Sequence, residues 1–414
     1  MSRIPILVIG AAVEPTGYAR VVRSILERLQ ARYEFHHFGF NYQGAPLNNG
    51  WKIYPNVRMG DIFGAEQLPD LLVKIRPQLV WIVHDYYMNS VHRKSWDKFK
   101  HQFKIVHYCP IDGTDASPRK FEDVEKLDRL VLFTQFGWNV VESALAKLAQ
   151  EQPKLRLPSL DIIPHGIDSH LFRPCASNNN FYQSRQQARR QLFPQQPELQ
   201  DAFIVLNANR NDSRKRVDIT LEAFALFARN KPNNVKLYLH MEAQHRGYNV
   251  QKLAKQYGIT DRLLLTTTET EQCSHYVSDE QLNLIYNACD VGLNTSTGEG
   301  WGLIPFEHGA TGAAQIMPRH SACAELWEDV AILIDPVSSF YHPLEDVQHQ
   351  IVSAQDVATA LEDLYSQPEL LRKKSEQAYA LATSSKFQWD NIAQQWDQLF
   401  TELCLEGRQQ ACKI

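Results

Sequence analysis

Apolar residues in this chain gather in short unbroken runs, each followed by a turn and then by an amphipathic stretch. Residues 4–9 (I-P-I-L-V-I) form the first run, and residues 79–84, 103–109, 129–134 and 160–166 continue the series. Runs without polar alternation suit strands of a parallel sheet covered on both faces. Between them, Val21, Val22, Ile25, Leu26 and Leu29 recur at helical spacing, and residues 66–75 and 136–148 show the same period. Strands alternating with helices predict an α/β fold built on a doubly wound parallel sheet.

The pattern lapses after Pro174. Residues 175–200 are rich in Asn, Gln and Arg, and read as a linker running into a polar helix. A second series then begins, with strands expected at 202–209, 235–240, 262–266, 290–294, 314–317 and 331–335. Helices are expected between them at 218–229, at 278–287 with Ser278 as its cap, at 305–311 and at 357–365. The predicted organisation is therefore 1–174, a linker region 175–200, and 201–386. A tail at 387–414 carries Trp389, Ile392, Ala393, Trp396, Leu399 and Phe400 on one helical face, which reads as core packing.

At 414 residues the chain is long enough for two domains with full cores. Its net charge of −4 argues against a general binder of nucleic acid or anionic membrane, so any anion site needs local cations. Seven cysteines occur without a C-x-x-C pair, which suits a reducing cytoplasm and offers no zinc signature. No apolar run approaches the ~20 residues of a membrane span, although peripheral membrane contact stays open. The first apolar run could pass for a signal-peptide core, but a first strand explains it better.

Candidate chemistry centres on Gly298–Gly312, which reads G-E-G-W-G-L-I-P-F-E-H-G-A-T-G. Pro305 is expected at the first helical position and Gly312 as the stop. Gly300 and Gly302 then fall in the strand-to-helix turn, where the absence of a Cβ lets a ligand approach the backbone. A helix start favours an anion, most simply a phosphate. Glu299 and Glu307 bracket the turn, and each carboxylate can accept hydrogen bonds from sugar hydroxyls. Acids near a helix start also occur merely to complement the dipole, and two glutamates could equally be a glycosidase pair.

A second cluster follows the first strand of the second series. The loop N-R-N-D-S-R-K-R-V-D brings Arg210, Arg214, Lys215 and Arg216 to the carboxyl rim of the sheet. An R-K-R run is most often a solvated face, but cations here would offset the two glutamates and admit a diphosphate. Arg210, as a planar fork, and Lys215, as a point charge, are the natural choices. On the rim of the first series lie His84, Asp85, His107, Pro110 and Asp112, each an ordinary loop residue alone and an acceptor-site candidate as a group. Gly17 precedes the first helix, but G-x-G-x-x-G is absent, which disfavours a NAD-dependent oxidoreductase.

The E-x₇-E pair at Glu299 and Glu307, the Arg210–Lys215 loop, the I-I-P-H-G-I-D-S-H-L-F-R-P segment (162–174) and the aromatic tail together resemble the retaining GT-B glycosyltransferases of family four. The wording N-R-N-D-S-R-K-R and P-R-H-S-A-C-A-E-L-W is similar to a viral and bacterial subgroup, some of whose members use GDP-mannose. The resemblance implies two Rossmann-like domains facing across a cleft, with the C-terminal helix crossing back to the first. It implies a nucleoside-diphosphate sugar as co-substrate, GDP- rather than UDP-linked, with no cofactor, no metal and a sugar or lipid-linked acceptor. Glu307 would bind the ribose, Glu299 a donor-sugar hydroxyl, and Arg210, Lys215 and the backbone of Gly300, Trp301, Gly302 and Leu303 the diphosphate. Val277 would lie near the base, and Gly17 would approach the phosphate. The catalytic set would be Glu299, Arg210, Lys215 and Asp112. Transfer would retain the anomeric configuration, with the departing diphosphate helping to take the acceptor proton.

Two departures stand out. Family members often carry Lys-Gly where this chain has Lys215-Arg216, so Arg214 and Lys215 could exchange roles. Many also carry a histidine on the first-domain rim, where this chain reads H-Y-C-P-I-D-G; Asp112 is the preferred occupant and His107 the second. A GT-B-type nucleotide-sugar epimerase and a catalytically silent nucleotide- or glycan-binding subunit are the alternatives.

Overall fold

The structure is a computed structural model that describes residues 3–177, 180–244, 247–266 and 277–411, with side chains through Leu405. Cys273, Cys412 and the linker residues 178–179 lie outside the described residues. The chain forms two compact units. One comprises Met1–Gly166, Leu344–Val347 and Trp389–Ile414, the other Ile167–Pro343 and Gln348–Gln388.

The first unit is built on eight strands: β1 (Ile4–Gly10), β2 (Tyr33–Gly39), β3 (Leu47–Asn48), β4 (Lys52–Pro55), β5 (Leu79–Val83), β6 (Lys104–Cys109), β7 (Arg129–Leu132) and β8 (Ser159–Ile162). Their order is β3-β4-β2-β1-β5-β6-β7-β8. All neighbours are parallel except β3 and β4. The chain winds outward from β1, then returns to its other side at β5, with Ile6 opposite Leu79 and Gly10 opposite Val83. In parallel sheets such a reversal is where ligands gather, here beyond the carboxyl ends of β1 and β5.

Six strands make the sheet of the second unit: β9 (Phe203–Asn207), β10 (Val235–Leu239), β11 (Leu263–Leu265), β12 (Val291–Leu293), β13 (Ala314–Pro318) and β14 (Ile332–Ile334). The order β11-β10-β9-β12-β13-β14, parallel throughout, places the reversal between β9 and β12. A ribbon, β15 (Pro336–His342) with β16 (Val347–Val352), follows.

The helix Trp389–Ala411 belongs to the first unit, as its aromatic stripe demands. Trp396 packs 4.7 Å from Trp81, 4.8 Å from Tyr108 and 5.4 Å from Phe400, measured between ring centroids. The second unit begins at Ile167, ahead of the boundary expected at 174, and includes the linker region. The polar helix Phe181–Leu192 is the reason. It buries Ser184, Arg185, Ala188 and Arg189, and both arginines grip the buried Asp290 at 2.9 and 2.6 Å. Its contact face is charged, so its sequence reads as a solvated linker.

Truncating the buried Trp396 leaves a large cavity among Trp81, Tyr108 and Phe400. Trp396→Ala is therefore expected to destabilise the first unit by about 3–5 kcal/mol, read from its urea unfolding midpoint. A loss below about 1 kcal/mol would show that the tail contributes little to that core.

Candidate functional site

The reversal of strand order in the second unit brings two loops side by side: residues 208–216 after β9, and residues 294–302 after β12. The first is the basic turn, the second the glycine turn, so sheet topology makes neighbours of segments some eighty residues apart. Asp212 starts the basic turn by accepting from Arg214 N at 3.1 Å. The turn ends at Arg216, whose φ of 46° is left-handed. That conformation costs an L-residue roughly 1–2 kcal/mol and none for glycine. Here the Arg216 guanidinium is anchored on Asp218 at 3.0 and 2.8 Å.

Backbone contacts lace the loops together. Thr297 N donates to Arg214 O at 2.9 Å, and the Arg214 guanidinium donates to the Gly298 carbonyl. Thr295 Oγ1 reaches the carbonyls of Lys215 and Arg216 at 3.1 and 2.9 Å. At the centre, Lys215 Nζ lies 2.5 Å from Glu299 Oε1, with both side chains buried. The same oxygen accepts from Asn294 Nδ2 at 3.1 Å and Ser296 Oγ at 3.0 Å. Burial alone would raise the Glu299 carboxyl, but the Lys215 and Arg214 cations and these hydrogen bonds bring it down to about 2.

Glu307 lies on the helix Leu303–Gly309, where it accepts from Tyr286 Oη at 2.9 Å. This helix starts two residues before its expected position, so Pro305 is third rather than first. Proline is accepted there because the opening N–H groups of a helix lack intrahelical acceptors. Gly302 caps the helix at φ 92°, and Gly312 turns the chain away at φ 83°, where a Cβ would meet Phe181 at 2.2 Å. Seven residues build only a modest dipole, so the cations, more than the helix end expected from sequence, favour an anion here. Trp301 lends the turn its backbone, while its indole stacks on Phe306 at 5.1 Å in the core. Arg210 is exposed and the contacts described do not draw it into the Lys215–Glu299 knot, whereas Arg214 enters it. Val277 is half-buried just ahead of Ser278, which caps the helix Asp279–Ala288.

The first unit has its own cluster at its reversal. Gly17 opens the helix Gly17–Leu29 after the Thr16 cap. The next residue, Tyr18, donates to Asp85 Oδ1 at 2.7 Å and stacks on His84 at 4.9 Å. Burial, then the Asp85 and Asp112 carboxylates, push its phenol well above the usual tyrosine range. Burial also lowers His84, against the opposing pull of Asp85. Asp85 and Asp112 keep partial exposure. His107 does not join them. It is fully buried, its Nε2 lies 3.1 Å from the His84 carbonyl, and burial takes its imidazole down to about 3. A histidine at the end of an apolar strand looks like a rim residue in sequence, but this one faces the core. Sequence reasoning missed Tyr18, and its place beside Gly17 at the helix start was the available signal.

Among the described residues, no group of three His, Cys, Asp or Glu side chains is placed to hold a metal ion, and no helix is long and apolar enough to cross a membrane.

Two Rossmann-type sheets, the second with ligand-ready loops at its reversal, define a protein of the GT-B fold. Residues 188–339, inside the second unit, match the family model "Glycosyl transferases group 1". The chain is 27% identical over 208 residues to the serotype-specific mannosyltransferase WbdA of Escherichia coli, a match covering 50% of this chain and 22% of that protein. It thus spans about a fifth of the length of the curated relatives it matches. Among solved structures it resembles sucrose-phosphate synthase from Thermosynechococcus elongatus, with a TM-score of 0.71 and 19% identity over 97% of this chain and 99% of the other. It also resembles HepE of Anabaena in complex with UDP and glucose, with a TM-score of 0.68 and 16% identity over 97% and 100%.

The Glu299 carboxyl has a folded-state pKa of about 2, below its ordinary 4.5. Its stabilising contribution is therefore complete above the ordinary value and is lost as pH falls toward the lower one. The stability advantage of wild type over Glu299→Gln should narrow by about 2 kcal/mol between pH 6 and pH 3, measured by urea unfolding at each pH. A constant difference would mean that Lys215 does not hold this carboxylate in its charged form.

Proposed function

We propose that this protein is a retaining glycosyltransferase moving a hexose from a nucleoside-diphosphate sugar to a hydroxyl of a glycan, lipid or other acceptor. The observation that carries the reading is the buried Lys215–Glu299 pair, flanked by the Arg214 contact to the Gly298 carbonyl and followed by the Gly300–Leu303 turn, where the strand order reverses. Lys215, with Arg214 or Arg210, would neutralise the diphosphate, most strongly as it departs and gathers charge. Glu299, held ionised, would accept from a hydroxyl of the transferred sugar. Glu307, held by Tyr286, would accept from the ribose, with the base near Val277.

On the first unit, Gly17 would approach the phosphate, and His84, Asp85 and Asp112 are the acceptor-side residues. Attack on the face from which the diphosphate leaves, with that group taking the acceptor proton, needs neither a metal nor a protein nucleophile. The mannosyltransferase relative supports a mannose donor, and the subgroup resemblance supports guanine over uracil, although HepE was solved with UDP. A reducing cytoplasmic setting suits seven cysteines that lack a C-x-x-C pair.

Glu299→Ala and Lys215→Ala should each lower transfer by at least ~100-fold, the scale of one preorganised transition-state contact. Activity within a few-fold of wild type would remove them from the mechanism. The donor is found by thermal shift against nucleoside-diphosphate sugars, because a ligand preferring the native state raises its stability. Incubating that donor alone separates transfer from epimerisation: an epimerase would convert it, a transferase at most hydrolyses it slowly.

A further inference from the structure

A third loop, after β13, also reaches Glu299, and neither the diphosphate nor the sugar contacts above use it. It carries His320 and Ser321, the latter opening the helix Ser321–Trp327 at a left-handed φ of 50°. Ser321 Oγ accepts from Glu299 N at 3.1 Å, and Ala322 N donates to Glu299 O at 3.1 Å. Both backbone polar groups of Glu299 are thus fixed by this one loop. His320 Nδ1 lies 3.1 Å from the same Ser321 Oγ. The two atoms form one hydrogen bond whichever of them donates, because a hydroxyl that accepts from Glu299 still has a proton to give and a second lone pair. Burial takes His320 down to about 4 against the attraction of Glu299, with His349 also lowering it, so the ring is neutral near pH 7. The Ser296 backbone, whose side chain holds the Glu299 carboxylate, meets the same ring.

We propose that Ser321 and His320 are positioning residues: a hydrogen-bond chain from Glu299 N–H through the Ser321 hydroxyl to His320 Nδ1 fixes the peptide that aims the Glu299 carboxylate. The left-handed backbone at Ser321 is the argument that the side chain matters. Glycine would adopt that conformation without strain, so a residue needed only for the turn gains nothing by being serine. The inference rests on the proposed role of Glu299 for its consequence in turnover, but not for its geometry.

The test uses the full chain with Ser321→Gly, His320→Phe and His320→Gln, the last of which keeps an acceptor for the serine hydroxyl. Ser321→Gly should hold or raise Tm while speeding amide hydrogen exchange at Glu299 by about 5–10-fold, the worth of one lost hydrogen bond. Release of nucleoside diphosphate from GDP-mannose or UDP-glucose should fall at least about tenfold, mostly in kcat, because the misaimed group acts at the transition state. His320→Phe should resemble Ser321→Gly, and His320→Gln should recover most of the rate. Unchanged exchange at Glu299 in Ser321→Gly overturns the chain of bonds. Faster exchange with an unchanged rate overturns the positioning role. If Glu299→Ala also keeps its rate, the donor-site reading falls with it.

Discussion

The second unit is organised around one buried contact, between the Lys215 ammonium and the Glu299 carboxylate. Taking two ions out of water costs several kcal/mol each, and their attraction repays this only when geometry is good and remaining hydrogen bonds are made. Here Asn294 and Ser296 supply those bonds, and the Arg214 guanidinium closes on the neighbouring Gly298 carbonyl. Such a pair adds little net stability but fixes where two loops lie relative to each other. In the proposed reaction, its burial would leave the cation desolvated and fixed before the diphosphate binds, which is what makes an electrostatic contact effective.

Supports for this contact radiate through small hydroxyl and amide side chains. Asn207, at the end of β9, donates to Thr220 Oγ1, which lies 2.8 Å from Thr295 Oγ1. On the other side Gln350 N donates to Thr297 O, and Thr297 Oγ1 lies 2.8 Å from His349 Nδ1. A strand end, a helix and the ribbon thus converge on the loop that holds Glu299. Arg216 and Ser321, left-handed without being glycine, stand at two corners of the same region. Backbone strain of this kind persists only where surrounding contacts over-determine it.

Strands buried on both faces were plain in the sequence, because β1, β5, β6, β9 and β10 are nearly unbroken apolar runs. β2 was not, since Y-E-F-H-H-F-G interrupts its run with His36 and His37, both of which the fold buries. The two glutamates and the basic turn could be singled out by residue type and spacing. Lys215 could be named as a cation for the site, but the entry of Arg214 in place of Arg210 could not, because two arginines in one turn differ only in where the backbone directs them. Nor could Ser321, which looks like an ordinary helix opener until its φ is known. Pairing Tyr18 with Asp85 likewise needs the strand order, which brings residues 67 positions apart into contact.

Where the second unit begins and ends has its own consequence. Ile167 N donates to Phe387 O at 2.7 Å, and Ile167 pairs with Gln388 as an isolated parallel bridge. Ser169 Oγ donates to Gln388 Oε1 at 2.8 Å beside it. Apart from Leu344–Val347, everything between these neighbours is a cassette whose entrance and exit are stitched together. A segment of that kind starts and finishes at one place, where its two ends brace each other through the same short set of hydrogen bonds.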